Sequence, residues 1–214
     1  MKAREKQASF QFCVVGGGMN GLIAAIAAAR HGARTALIQE RPVFGGNASS
    51  EIRMHICGAS ADETKPNAEE GGILREILLN NKAVNRYFNF SAWDRVLFEA
   101  SHEKNLTVFL NTTMHDAACE NGRVKSVRCW QMTTETEWTI SADIFADCTG
   151  NGTLAYFAGV PFRTGSEGKA EFNEPHAPAE PDDHRMGNTL LFKAVNRGEP
   201  VPFTPPKTAR HFTE

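Results

Sequence analysis

The sequence predicts an α/β fold in which a parallel sheet is covered by helices and carries an antiparallel appendage. Short apolar strands alternate with helices between residues 10 and 160, which is typical of this fold class. Within that region, Asn121-Gly122 separates two strand-like segments and predicts a tight antiparallel hairpin. With 214 residues, 41% of them hydrophobic, the chain can bury a core without disulfide bonds.

The individual elements follow from the spacing of apolar residues and from the residues at their ends. Short apolar runs predict buried strands, and apolar residues that recur every three or four positions predict helices. Strands are predicted at 10–15, 35–39, 107–110, 117–120, 123–129 and 143–148, and helices at 20–30, 73–79 and from Ser91 onward. Ser91 and Asp94 have the spacing of a capping box, so Ser91 is predicted to cap the third helix.

The distribution of proline predicts how the chain is divided. Eight of the ten prolines lie between Pro161 and Pro206. Residues 1–9 are predicted to be a polar lead-in and residues 10–163 the folded domain. Residues 164–214 are predicted to be an extended, proline-rich segment that begins an incomplete second domain, with one strand at 188–195.

Composition and charge exclude several classes of protein. The net charge is −2, so there is no basic excess with which to bind nucleic acid. The five cysteines include no Cys-x-x-Cys pair, and no histidines have the spacing of metal ligands, so no metal site is predicted. The longest apolar run near the start, residues 22–29, is too short to cross a membrane. We therefore expect a cytoplasmic protein with neither nucleic acid nor membrane as a partner.

The strongest local signal is residues 16–21 (GGGMNG), which fit the pattern G-x-G-x-x-G between a strand and a helix. Gly16 permits a tight turn, Gly18 lets the backbone approach a pyrophosphate, and Gly21 allows the helix to pack closely on the strand. The free N–H groups of the first helical turn then face the phosphates. The segment therefore predicts a phosphate-binding turn.

An acidic residue completes this pattern at the end of the next strand. Glu40 follows the glycine motif by about 20 positions, where a carboxylate accepts hydrogen bonds from ribose hydroxyl groups. Together, the glycine motif and Glu40 predict a dinucleotide site. The motif alone leaves both NAD and FAD open.

Two further segments carry a resemblance to a known family. Residues 40–50 (ERPVFGGNASS) resemble the Glu-Arg…Gly-Gly-x-x-Ser run of FAD-dependent oxidoreductases in the glutathione-reductase-like superfamily. Residues 142–152 (ADIFADCTGNG) are similar to the second motif of these flavoproteins, a strand that ends near Ala-Thr-Gly. The resemblance covers residues 10–160. It implies FAD as the cofactor of a Rossmann-like FAD/NAD(P)-binding domain, with a doubly wound parallel sheet and an inserted antiparallel β-meander.

The resemblance also implies which residues hold FAD. Gly46 and Asn47 would allow a close pass of the backbone, and Ser49 could donate to phosphate or ribityl oxygens. The backbone around Met114, in the meander, would contact adenine. The full set of implied FAD-binding residues is Gly16, Gly18, Met19, Asn20, Gly21, Glu40, Arg41, Gly46, Asn47, Ser49, Met114, Thr149 and Gly150.

The resulting hypothesis is an FAD-dependent oxidoreductase in which the flavin accepts a hydride from a small-molecule substrate. His55 is a candidate proton acceptor and Arg53 a candidate for stabilising negative charge; Cys57 is a weaker candidate as a redox thiol. The substrate domain and final Gly-Asp segment of such enzymes are not present, so we expect the nucleotide-binding portion. Two alternatives stay open: an NAD-dependent dehydrogenase domain and a non-catalytic, truncated dinucleotide-binding fragment.

Overall fold

The computed structural model describes residues 4–56, 68–187, 195–202 and 204–210. The strands are β1 (Arg4–Val15), β2 (Thr35–Ile38), β3 (Leu106–Phe109), β4 (Thr112–Glu120), β5 (Arg123–Gln131) and β6 (Thr136–Asp147). The helices are α1 (Met19–Arg30), α2 (Gly72–Val84), α3 (Phe90–Ala100), α4 (Thr153–Phe157) and α5 (Lys169–Phe172). Short 3-10 turns lie at Gly46–Ala48 and Met132–Thr134.

All six strands belong to one sheet, in the order β3-β2-β1-β6-β5-β4. The neighbours β3, β2, β1 and β6 run parallel, whereas β6, β5 and β4 form an antiparallel meander. The predicted α/β fold, a Rossmann-like parallel sheet with an inserted antiparallel β-meander, is therefore confirmed.

The edge strand β4 returns to the parallel part of the sheet. The N–H of Thr112, the first residue of β4, donates to the carbonyl oxygen of Gln39 at 2.9 Å, and the N–H of Asn111 donates to that of Arg41 at 3.3 Å. Gln39 and Arg41 are the first and third residues after β2. The meander therefore begins beside the carboxyl end of β2, where the predicted dinucleotide site lies.

Alternate residues of the central strands face two separate cores. Val14 and Leu37 pack with Leu22, Ile26 and other residues of the helices on one face of the sheet. Their neighbours along the strands pack with residues of the meander on the other face, in a cluster that includes Cys13, Val15, Ala36, Ile38, Val127, Cys129 and Ile140. Because side chains alternate along a strand, β2 and the last three residues of β1 are buried on both faces, as their continuous apolar runs indicate.

Four strands are longer than predicted. Strand β4 begins at Thr112 rather than at 117, and β5 ends at Gln131 rather than at 129, because their pairing continues beyond the apolar residues. The first strand begins at Arg4, so residues 4–9, which were expected to be a lead-in, form part of β1 and pair with residues 136–141 of β6. Strand β6 combines the last meander strand with the last parallel strand, so that one strand extends well before the predicted start at residue 143. Exposed polar residues dominate the beginning of β1, so its apolar pattern gave no signal; pairing with β6 supplies the strand geometry.

The predicted cap of α3 is wrong by two residues. Asn89 is the N-cap, and its Oδ1 accepts from the N–H groups of Ser91 at 2.8 Å and Ala92 at 3.4 Å. Asparagine caps a helix as well as serine does, and the earlier residue places Phe90 at the helix start. Asp94 is then available for a contact outside the helix.

The chain divides into two compact units, Met1–Arg163 and Thr164–Glu214. In the second unit, α5 and one antiparallel bridge between Ser166 and Asp182 are the regular elements among the residues that the structure describes. The strand predicted at 188–195 lies almost entirely outside those residues. Of the helices in the described ranges, none has both the length and the apolar character needed to cross a membrane.

Candidate dinucleotide site

The turn between β1 and α1, residues 16–21, is built so that two of its glycines cannot be replaced. Gly16 has φ +102°, and its N–H donates to the carbonyl oxygen of Ile38 at 2.8 Å. A Cβ atom on Gly16 would overlap the carbonyl group of Cys148, and one on Gly21 would overlap the carbonyl oxygen of Gly16. The tight turn and the close packing of helix on strand therefore both require glycine, as the sequence pattern predicts.

Gly18 lies in a different environment within the same turn. It is the N-cap of α1 with φ −61°, and as a glycine it has no side chain with which to cap the helix. Apart from the residues next to it in the chain and the backbone of its own helix, no described heavy atom would lie within 4 Å of a Cβ atom on Gly18. The first-turn N–H groups, which include those of Met19 and Asn20, have no partner within a helix. The space beside Gly18 therefore fits an anion such as a pyrophosphate, which the helix dipole would also favour.

A second loop, residues 43–50, packs against the glycine turn. The N–H of Gly45 donates to the carbonyl oxygen of Gly17 at 2.9 Å, and Gly45 forms a parallel bridge with Gly18. A Cβ atom on Gly46 would lie 3.3 Å from Cα of Gly18. The second loop therefore lies directly against the glycine turn at Gly45 and Gly46, while the predicted close pass of Gly46 and Asn47 along a cofactor stays a prediction.

Helix α3 holds this second loop from the other side through two neighbouring side chains. The indole Nε1 of buried Trp93 donates to the carbonyl oxygen of Ala48 at 2.7 Å. The Oδ1 of Asp94 accepts from the N–H of Ser50 at 3.0 Å. Sequence reasoning missed both contacts, because Trp93 fits the apolar face of α3 and Asp94 fits a capping box.

Ser49 is buried inside the second loop rather than directed into open solvent. Its side chain is 1% exposed, and its Oγ accepts from the N–H of Glu51 at 3.3 Å. Its carbonyl oxygen accepts from the N–H of Arg53 at 2.8 Å. Its predicted donation to a phosphate or ribityl oxygen stays a prediction.

Glu40 lies at the carboxyl end of β2, where the ribose acid is expected. Its side chain is 61% exposed and forms a long ion pair with Arg41, with Nε and Oε1 3.7 Å apart. Arg41 also pairs with Glu51, with 3.0 Å between Nη1 and Oε2. The carboxylate of Glu40 is thus accessible to ribose hydroxyl groups.

The predicted motif after β6 places its polar groups in an internal network. Asp147 Oδ1 accepts from both the N–H of Thr149 at 3.0 Å and its hydroxyl group at 2.7 Å, and Oδ2 accepts from the N–H of Ala155 at 2.8 Å. The hydroxyl oxygen of Thr149 accepts from the N–H of Thr153 at 2.8 Å. Partial burial opposes ionisation of Asp147, but these hydrogen bonds outweigh it and lower the pKa of the carboxyl group.

The other predicted site residues lie at or near this end of the sheet. Met114, whose side chain is 7% exposed, belongs to the meander-side core, two residues beyond Thr112 and its contact with the end of β2. Gly150 has φ +80° and an open Cβ position in the turn that follows β6. Neither position tests the predicted contact with FAD.

The candidate catalytic residues follow the second loop. Arg53 has φ +63°, its Nε donates to the carbonyl oxygen of Ser50 at 2.9 Å, and its guanidinium lies 5.3 Å from the ring centre of Phe90. His55 is exposed. Cys57 lies outside the described residues. Their proposed roles therefore stay predictions.

The buried thiols of the described residues have raised pKa values. Burial, and then Glu137, raises the pKa of Cys129 to about 12. Burial, followed by the neighbouring Asp147, also raises the pKa of Cys148. Over the described ranges, no cluster of three or more histidine, cysteine or acidic side chains could hold a metal ion.

Comparisons with known proteins agree with this geometry. A family model for FAD dependent oxidoreductase matches residues 11–212, and so extends well beyond the resemblance seen over residues 10–160. A myxobacterial chondrochloren halogenase, a variant of FAD-dependent halogenases, is 19% identical with a TM-score of 0.51, over 75% of this chain and 41% of that one. The p-nitrophenol 4-monooxygenase of Pseudomonas putida DLL-E4 is 13% identical with a TM-score of 0.50, over 75% and 46%.

This chain therefore spans less than half the length of either solved structure. Among curated proteins, no sequence matches it.

Proposed function

Because this chain belongs to the FAD dependent oxidoreductase family, we propose that it binds FAD at the glycine turn and takes part in oxidising a small-molecule substrate. The observation that carries this proposal is the open space beside Gly18, at the uncapped start of α1. A pyrophosphate there would accept hydrogen bonds from the first-turn N–H groups. The cofactor of the family is FAD, and the geometry fits its pyrophosphate.

The remaining cofactor contacts are proposed from their positions around this turn. Glu40 would accept hydrogen bonds from the adenosine ribose, with Arg41 beside it. Gly46, Asn47 and Ser49 would border the pyrophosphate on the side of the second loop. The backbone at Met114 would border adenine, and Thr149 and Gly150 would border the flavin side. The supporting observation is that β1, β2 and β6 all end at this edge of the parallel sheet, where ligands of open α/β sheets bind.

When bound, FAD supplies a ring that accepts a hydride from an oxidisable substrate. The chain would bind and orient the cofactor and would place charged groups near it. Arg53 would stabilise negative charge, since its side chain is already tied to the loop that borders the turn. His55 would take up a proton, because an imidazole nitrogen can act as a proton acceptor. We propose a cytoplasmic location and no nucleic-acid or membrane partner, as composition indicates.

The test is a titration of FAD into the apo protein, followed by anaerobic addition of sugars, hydroxy acids and amines. We expect quenching of flavin fluorescence on binding and bleaching of the flavin absorbance with the correct substrate class. Binding of NADH by a protein that ignores FAD would favour the dehydrogenase alternative. Binding of FAD without bleaching by any donor class would contradict the proposed part in oxidation and favour the alternative of a non-catalytic dinucleotide-binding fragment.

A further inference from the structure

Gln39, the residue directly after β2, buries a side-chain amide beside the glycine turn. The residue is 4% exposed, and both polar atoms have a partner. Its Oε1 accepts from the N–H of Gly17 at 2.8 Å, and its Nε2 donates to the carbonyl oxygen of Val43 at 2.8 Å. Burying an amide is costly unless it is hydrogen-bonded, so these two bonds hold the side chain in one orientation.

The same amide closes a ring between the glycine turn and the second loop. The carbonyl oxygen of Gly17 accepts from the N–H of Gly45 at 2.9 Å, and Gly45 follows Val43 by two residues. Three hydrogen bonds therefore join Gly17, Gln39, Val43 and Gly45, and we call this set the Gln39 ring. Both the N–H and the carbonyl oxygen of Gly17 are used in it. The ring thus fixes the peptide groups that lead into Gly18.

The Gln39 ring is held in place by backbone hydrogen bonds of Gln39 and by close packing around Gly17. The N–H of Gln39 donates to the carbonyl oxygen of Phe109 at 2.9 Å, and its carbonyl oxygen accepts from Thr112, so its backbone is bound on the meander side. A Cβ atom on Gly17 would lie only 2.9 Å from the ring of Phe44 and 3.0 Å from Cβ of Gln39. A larger residue at position 17 would therefore press on the ring of Phe44 and on Gln39 itself.

We infer that Gln39 is a positioning residue for FAD: its buried amide sets the direction in which the first turn of α1 presents its N–H groups. This inference rests on the proposed function, because it requires the pyrophosphate to bind beside Gly18. Hydrogen bonds weaken steeply as they lose alignment, so a rotation of the Gly17 peptide would reduce affinity even if the fold persisted. The sequence motif contains Gly17 as an unspecified residue and gives no sign of this role.

Two substitutions of Gln39 distinguish a role in positioning the first-turn N–H groups of α1 from a role in stabilising the fold alone. Gln39→Met keeps the length of the side chain but can neither donate to Val43 nor accept from Gly17. We expect FAD to bind about 10-fold more weakly, as the loss of these bonds implies, with no recovery on changing pH. ADP, which has the pyrophosphate but no flavin, should lose affinity by the same factor.

Gln39→Glu gives the sharper test because its hydrogen-bonding capacity depends on protonation. A neutral carboxylic acid can accept from Gly17 and donate to Val43, as the amide does, whereas a carboxylate cannot donate. Burial raises the pKa of a carboxyl group, to as high as about 8–9 in documented cases. We expect near wild-type affinity for FAD and ADP at about pH 6 and a loss of about 10-fold or more at about pH 9, relative to wild type at each pH.

The matched control is Gln11→Met, which removes an amide that accepts from the N–H of Arg34 at 2.9 Å, at the far end of the β1–β2 pair. It should leave affinity unchanged. Dissociation constants are measured below the unfolding transition of every variant, checked by circular dichroism. Equal affinity of all folded Gln39 variants, at both pH values, would overturn the inference. Failure of the wild type to bind FAD or ADP would instead overturn the proposed function.

Discussion

Two neighbouring parallel strands, β1 and β6, each end in a glycine turn that leads into a helix. The two turns differ in whether side chains accept hydrogen bonds from the N–H groups at the start of that helix. At residues 16–21, the N-cap Gly18 has no side chain with which to cap α1, and its Cβ position is open among the described residues. At residues 148–153, Asp147 and Thr149 already accept hydrogen bonds from the N–H groups of Thr153 and Ala155 at the start of α4. Among the described residues, side chains therefore use N–H groups at the start of α4 but none at the start of α1.

The difference shows that a strand, a glycine turn and a helix do not by themselves make an anion site. The deciding feature is whether side chains of the chain already use the N–H groups of the helix start. The first turn also has an acid at the end of the strand that follows, Glu40. After α4, by contrast, the described residues include no further strand of the sheet. Four predictions test this contrast.

The largest effect is expected for Gly18→Val in the open turn. The φ of −61° suits any residue and nothing surrounds the Cβ position, so thermal stability should match that of the wild type. The added side chain would occupy the approach of the pyrophosphate. We expect FAD affinity to fall by about 1,000-fold or more, about 4 kcal/mol, measured by fluorescence titration. Wild-type affinity would mean that the phosphate binds elsewhere.

Gly21→Ala provides the contrasting control for that prediction. Its Cβ atom would overlap the carbonyl oxygen of Gly16, so this variant should lose stability rather than only affinity. Equal melting temperatures for Gly21→Ala and the wild type would contradict the close packing of helix on strand.

The next largest effect is expected for Glu40→Ala. The carboxylate is exposed at the end of β2, and its loss removes one or two charge-assisted hydrogen bonds to the ribose, about 1.5–3 kcal/mol each. FAD affinity measured by titration should therefore fall by at least about 10-fold. Glu120→Ala, at the tip of the meander hairpin, changes the net charge equally and should leave affinity unchanged. A similar loss in both variants would indicate a general effect of charge.

In the capped turn, Asp147→Ala should reduce stability more than it reduces FAD binding. The substitution removes the acceptor for the N–H groups of Thr149 and Ala155, and loss of such a cap costs about 1 kcal/mol. Chemical denaturation should show this decrease in the free energy of unfolding. If FAD affinity fell instead while stability stayed constant, the second turn would itself be a phosphate site.

The smallest effect is the pH dependence of the same carboxyl group. Its pKa in the folded protein is lowered from the usual 3.8, so its contribution to stability is present above 3.8 and is lost as the pH falls through the lowered value. The difference in free energy of unfolding between the wild type and Asp147→Asn should shrink as the pH falls from about 5 to about 2. A difference that stays constant over that range would exclude a role for the charge.

The sequence predicted the parallel part of the fold well because its signals are local. The apolar run before Gly16, the glycine spacing and the acid after the second strand all lie within about 30 residues and form one strand–helix–strand unit. The hairpin at Asn121-Gly122 was predicted on similarly local grounds, and strands β4 and β5 flank it. The start of β1 at Arg4 was missed, because its polar residues become a strand only by pairing with β6.

The sequence by itself therefore determined the α/β class, the glycine turn and the position of Glu40, since these depend on backbone sterics and on apolar spacing along short segments. The tertiary structure alone decided which helix start stays open and what supports it. Gln39, Trp93 and Asp94 each fit an ordinary local pattern, and their partners lie on segments brought together only by folding. A side-chain hydrogen bond to a backbone atom far away in the chain does not alter the periodic spacing of apolar residues, on which prediction from sequence relies. These contacts could therefore be identified only from the folded structure.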